Sequence, residues 1–238
     1  SHNLETVTAV FNADLSSDIK IREFTCGNKK AFIVFIESMI DSNRINTHIL
    51  APMMILPTNA TKEDIENSLV VVNQLTVTNK FEDAFYNLSL GDCLIFVDGI
   101  ESTFICDVKS WERRSVGPPV SEAVIYGPHE GFTENFKTNA ALIRKNVHSP
   151  DLVCEMLKAG KVSKTPLSVL YMKNIANEGL VKEVKRRIVN LDCDYIFQLG
   201  QLEQFLEDTT FTLTPQFLTT ERPDRACECL IEGKVVIL

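Results

Sequence analysis

The chain has 238 residues, 45% of them hydrophobic, and a net charge of −8. That is enough apolar material for one large or two small cored domains, and too much for a disordered chain. The acidic balance argues against phosphate-backbone binding: Lys182, Lys185, Arg186 and Arg187 form the densest basic group, and Glu178 and Glu183 interleave with them as helical i,i+4 pairs, so no nucleic-acid partner is expected.

No run approaches the roughly 18 unbroken apolar residues of a membrane span. Seven cysteines form no CxxC, and four scattered histidines complete no zinc spacing. The thiols read as small buried apolar groups in a reducing compartment; no metal or cofactor is expected. The chain starts without Met, and residues 1–3 read as tag-derived. Residues 234–238 read as a strand with nothing after it, so the chain is expected to be a fragment.

In chain order, residues 19–26 alternate, Gly27-Asn28 turns, and 31–36 run apolar, which is a hairpin pattern. Asp41 is expected to cap a helix reaching Leu50 and ended by the Pro52 region. Thr61 is expected to cap another, with Glu63 and Asp64 in its first turn. Phe81, Ala84, Phe85 and Leu88 share a helical face that Gly91 ends. Strands over 93–97 and 103–108 flank the turn Asp98-Gly99. Charges, a glycine and two prolines then break the pattern over 111–119.

The second half predicts a strand at 123–126 and a helix over 134–147 with Phe136, Ala140, Ile143 and Val147 inward. A short helix over 151–158 is expected to end at Gly160, and a strand follows at 167–172. A helix over 177–191 is expected to turn Leu180, Val184, Ile188 and Leu191 inward. A short strand at 195–197, a helix carrying Leu202, Phe205 and Leu206, a last helix with Ala226, Cys227, Leu230 and Ile231, and a strand at 235–238 complete the chain. The fold class is α/β in two subdomains. The first, 1–112, is read as a mixed sheet with hairpins and short helices. A linker follows at 113–119. The second, 120–238, is read as a mostly parallel sheet flanked by helices.

No catalytic arrangement is visible: there is no GxSxG, HExxH, GxGxxG or EF-hand loop, and the chain is not read as an enzyme. The run AGKVSKT at 159–165 lacks the first glycine of a phosphate loop and precedes a strand rather than a helix. Two local features remain. Gly127-Pro128-His129-Glu130-Gly131-Phe132-Thr133-Glu134 joins a strand to a helix, with Thr133 as the expected cap and Glu134 in the first turn. Thr220-Glu221-Arg222-Pro223-Asp224 starts another helix, with Arg222 able to fork onto a carboxylate.

Together these segments resemble the A subunit of the spore germination receptors of endospore-forming bacteria, the GerA-like family. The resemblance runs through Arg113-Arg114-Ser115, Pro119, Glu122-Ala123-Val124, GPHEGFTENFKTNAALIRKNV at 127–147, Ser163-Lys164-Thr165, Gly200-Gln201-Leu202-Glu203, TERPD at 220–224 and 230–235. His129 departs from the family's usual Arg, and Leu213-Thr214-Pro215-Gln216 from a usual Phe-Pro-Gln. The resemblance implies a soluble N-terminal portion ahead of a multi-span membrane domain absent from this chain. It implies partner B and C subunits, placement at the spore inner membrane with this portion on the spore-core side, and nutrient-triggered germination. Self-association into a homo-oligomer and a nutrient small-molecule ligand are also open.

The residues expected to serve ligand or subunit coupling are Arg114, Gly127, Pro128, Glu130, Gly131, Phe132, Thr133, Glu134, Asn139, Arg144, Thr220, Glu221, Arg222, Pro223 and Asp224. Two functions fit: a coupling module between subunits and the membrane domain, with 111–119 as a hinge, or direct nutrient binding in a cleft between the subdomains.

Overall fold

The computed structural model describes residues 2–69, 72, 74–110, 119, 122, 127, 129–208 and 214–238. The chain divides into two compact units, 1–113 with 148–150 and 114–147 with 151–238. The expected linker 113–119, apart from Pro119, and the expected strand at 123–126 lie outside the described residues.

The first unit begins with α1 (His2–Val10), which buries Val7. Strands β1 (Ile19–Cys26) and β2 (Lys29–Ile36) pair antiparallel from Ile19 with Ile36 to Cys26 with Lys29. Gly27 makes the turn at φ +59, and a Cβ there would stand 2.5 Å from the Pro57 carbonyl oxygen. Both the left-handed backbone and the collision oppose a side chain. Gly27→Ala is therefore expected to lower stability by at least about 2 kcal/mol, read as a fall in the urea midpoint at unchanged slope.

Asp41 caps the next helix as expected, its carboxylate accepting from the Asn43 and Arg44 N–H groups at 2.8 and 3.4 Å. The helix does not stop at Leu50. It runs through α2 (Ser42–Arg44), a π-helical stretch (Ile45–Leu50) and α3 (Ala51–Met54). Pro52 sits in the first turn of α3, where a missing N–H is tolerated. Thr61 and Asp64 form a reciprocal capping box on α4 (Lys62–Ser68). Strand β3 (Leu75–Thr78), which the sequence reading passed over, precedes α5 (Phe81–Ser89), β4 (Cys93–Val97) and β5 (Thr103–Cys106).

Among the described residues these strands form one sheet in the order β1-β2-β4-β5-β3. The expectation of a mixed sheet is corrected: every pairing is antiparallel. One face, with Ile33, Ile95, Phe104, Cys93 and Cys106, packs against Ile45, Ile49, Met53, Ile65 and Leu69 of the helical layer. On the other, Phe32 stacks on Phe96 at 4.7 Å, and Phe81 of α5 stands over Phe96. Phe11 meets Phe85 edge-on. Burial pushes the Cys106 thiol up to about 12, as fits a thiol that acts as an apolar side chain.

The second unit holds α6 (Phe136–Asn146), β6 (Leu152–Ala159), β7 (Thr165–Met172), α7 (Glu178–Val189), α8 (Leu199–Leu206), α9 (Pro223–Ile231) and β8 (Val236–Ile237). Two expectations fail together here. Residues 151–158 are not a helix, and the sheet β6-β7-β8 is antiparallel rather than mostly parallel. Gly160, at φ +84, ends an apolar run in a hairpin turn; a helix terminator shows the same sequence sign. With β6 a strand, only residues 160–164 connect it to β7, too short for a parallel crossover.

The run is apolar because both sheet faces are covered. Leu152 and Cys154 face α6 and α9, whereas Val153 and Ala159 face α7 and α8. The inward face of α7 is also shifted. Val181 and Ile188 are buried, while Leu180 is exposed. Phe205 and Ile231 are exposed as well, leaving Leu202, Leu206, Pro223, Ala226, Cys227 and Leu230 as the buried residues of their helices. Residues 195–197 form no strand; Tyr195 and Phe197 stack on each other in a loop.

Candidate functional site

The motif residues converge inside the second unit, ahead of α6 and α9. The cap of α6 is Asn135, not Thr133: the Asn135 carboxamide oxygen accepts the Lys137 N–H at 2.9 Å. Asparagine is among the best caps, and Thr133 is already engaged. Its N–H donates to Asn139 Oδ1 at 2.7 Å, its hydroxyl donates to the same oxygen at 3.1 Å, and its carbonyl accepts from Asn139 Nδ2 at 2.7 Å. One buried carboxamide on α6 thus meets the N–H, hydroxyl and carbonyl of Thr133, and that hydroxyl also accepts the Asn135 N–H at 3.2 Å. Glu134 falls outside the helix and is exposed, so it does not sit in the first turn.

Around this clamp, Gly127 adopts φ +130, open to glycine. Gly131 is buried. Phe132 packs on the core formed by Ala140, Ile143, Cys227 and Leu230. Glu130 accepts from Lys145 Nζ at 2.6 Å in a half-exposed pair. Arg144 is 2% exposed and is not without partners. Arg114 and Pro128 lie outside the described residues.

The second motif reaches the first directly: the Phe132 N–H donates to the Glu221 carbonyl at 2.8 Å. Glu122 reinforces this joint. Its Oε2 accepts from the Thr220 hydroxyl and from the Glu221 N–H at 3.0 Å, and its Oε1 accepts from Arg225 Nη1 at 2.6 Å. The Thr220 hydroxyl, foremost, then the Glu221 N–H and Arg225 hold this carboxyl below its ordinary range. Arg222 forks onto Asp224, with Nε to Oδ1 at 3.1 Å and Nη2 to Oδ2. That fork lowers the Asp224 carboxyl in turn. Pro223 opens α9 and is buried.

Three contributors were missed by the sequence reading. Glu122 lies in the matching segment Glu122-Ala123-Val124, and none of Glu122, Lys145 and Arg225 is among the expected site residues. Helix-period reasoning does not pair a carboxylate with a hydroxyl 98 positions away.

The joint is a set of paired acceptors and donors. Among the described residues, no three His, Cys, Asp or Glu side chains stand close enough to hold a metal ion. Apart from this site, the first unit holds a cavity of about 170 Å3 lined by residues that include Glu23, Lys30, Phe32, Phe96 and Asp98.

A family model described as the Bacillus/Clostridium GerA spore germination protein matches residues 5–238. The chain belongs to the GerA family. This GerA chain is 34% identical to spore germination protein KA of Bacillus subtilis (strain 168) over 230 residues, covering 94% of this chain and 42% of that protein. It is 30% identical to spore germination protein GerLA of Bacillus cereus over 250 residues, covering 99% of this chain and 49% of that protein. The chain therefore spans under half the length of these two relatives. It is also similar to the crystal structure of the N-terminal domain of the A subunit of the Bacillus megaterium spore germinant receptor GerK3, with TM-score 0.75 and 32% identity over 99% of this chain and 89% of that one. Among the described residues of the GerA chain, no helix is long and apolar enough to cross a membrane.

Proposed function

We propose that this GerA chain is the N-terminal portion of a germinant receptor A subunit. In this reading it couples nutrient sensing to a membrane domain, and to B and C subunits, at the spore inner membrane. The observation that carries the reading is the Glu122 joint. It ties the 127–134 turn to the 220–225 helix start with bonds that fix their relative position. Polar clamps of this kind suit a part that passes a change of pose from one surface to another, because a defined network has discrete arrangements. The likeness to the GerK3 A-subunit domain supports the same reading.

Spores whose receptor carries Glu122→Ala should germinate at least ten-fold more slowly in nutrient, at unchanged receptor level. Wild-type germination with normal receptor assembly would overturn coupling through this joint. Calorimetry of the chain against millimolar amino acids, sugars and nucleosides separates coupling from direct binding. Coupling alone predicts no heat of binding.

A further inference from the structure

The GQLE and SKT motifs, which the Glu122 joint leaves unused, meet elsewhere on the second unit, beside an exposed aromatic loop. Phe197 is 78% exposed, Leu199 56% and Tyr195 51%, and Val162 on the adjacent β6–β7 turn is 76% exposed. The two rings stack with centroids 4.9 Å apart. Leaving such side chains in water forgoes roughly 1.5–3 kcal/mol each of burial free energy.

The loop is nevertheless built to hold them out. The Lys161 N–H donates to the Cys193 carbonyl at 2.8 Å, and the Val162 and Ser163 N–H groups both donate to the Asp194 carbonyl at 3.0 Å. From SKT, the Thr165 hydroxyl donates to the Ile196 carbonyl at 2.9 Å. From GQLE, Gln201 Oε1 accepts the Phe197 N–H at 3.1 Å. Ile196 itself is buried in the core beneath, so alternate residues anchor inward and present outward.

Charge decides what this face fits. Residues 192–208 carry Asp192, Asp194, Glu203, Glu207 and Asp208, and no Lys or Arg. Lys161 answers Asp192, and Arg187 answers Asp208. Asp194, Glu203 and Glu207 make no side-chain hydrogen bond or ion pair among the described residues. Lys161 and Lys164 both lie on the β6–β7 turn, and Lys161 also attracts Asp194, yet the acids outnumber them.

We propose that this acidic, aromatic face docks a basic amphipathic segment of a partner protein, whose apolar side chains cover Tyr195 and Phe197 while its Lys or Arg residues meet Asp194 and Glu203. The acidic surplus disfavours an anionic bilayer as the occupant. The inference does not depend on the Glu122 joint, since it uses different residues.

The test uses an 18-residue Leu/Lys amphipathic peptide, its Leu/Glu counterpart and phosphatidylcholine–phosphatidylglycerol vesicles, each titrated against the chain. The Leu/Lys peptide should bind in the micromolar range, and the Leu/Glu peptide at least ten-fold more weakly. Tyr195→Ser with Phe197→Ser should weaken Leu/Lys binding at least ten-fold, and Asp194→Asn with Glu203→Gln several-fold. Ile55→Ser, an exposed apolar control in the first unit, should leave it unchanged. Asp194, Tyr195, Phe197 and Ile55 are exposed and Glu203 is half-buried at the surface, so the variants should melt with the parent chain. Equal binding by the ring variant would mean unspecific charge attraction and overturn the proposal. Ring-dependent binding to the vesicles without binding to the peptide would overturn it in favour of a membrane face.

Discussion

Asn139→Ala should lower the stability of the second unit by about 2–3 kcal/mol. Asn139 is buried, and its carboxamide answers the N–H, hydroxyl and carbonyl of Thr133 at once. Truncation leaves the Thr133 N–H and carbonyl half-buried and unpaired, while the hydroxyl keeps the Asn135 N–H; each unpaired group costs roughly 1–3 kcal/mol less whatever water recovers. Asn139→Asp keeps the shape and the acceptor but turns the donor into an anion facing a carbonyl. It should cost nearly as much as alanine, which separates lost hydrogen bonding from lost volume. Thr133→Val removes the hydroxyl alone and should cost about 1 kcal/mol. Urea unfolding followed by far-ultraviolet circular dichroism gives all three values. A neutral Asn139→Asp would show that the clamp contributes packing rather than polar pairing.

Glu122→Ala should cost about 2 kcal/mol at neutral pH, because hydrogen bonds to a charged group contribute about 1.5–3 kcal/mol and Arg225 is part-exposed. The effect should depend on pH with a definite sign. The folded chain holds this carboxyl below its ordinary 4.5. On acidification the unfolded chain therefore takes up the proton first. The stabilisation is complete above about pH 4.5 and fades as pH falls through the lower folded value. In Glu122→Gln the local contribution should no longer vary with pH, so the stability difference from the parent should shrink toward acid. A difference constant between pH 7 and pH 3 would remove Glu122 as an ionised partner.

Where the sequence was legible, the reason is local. Gly27-Asn28, Asp41 and Thr61 each act within a few residues, and α6 shows its buried Ala140, Ile143 and Val147 as a helical stripe. Where it was not, two structures share one sequence sign. An apolar run stopped by a glycine describes both a buried helix and a strand covered on both faces, and misreading 151–158 turned a hairpin into an imagined parallel crossover. Thr133 and Asn135 both suit a cap, and the choice between them was made by Asn139, which occupies Thr133 from within the helix. The site was half visible: the turn and the TERPD helix start stood out by their residue types, but the carboxylate joining them did not. Short β3, with two threonines in four residues, carries too weak an alternation to declare itself.

Strand β7 has a further consequence. Leu170 and Met172 belong to the core under α6 and α9, while Val169 and Tyr171 belong to the core under α7 and α8. Neither helical layer can come away and leave a wetted but intact half behind, since the strand would face water on that side. Melting of this unit should thus be a single cooperative event, with the Val169 and Leu170 amides among the last to exchange their hydrogen for solvent deuterium.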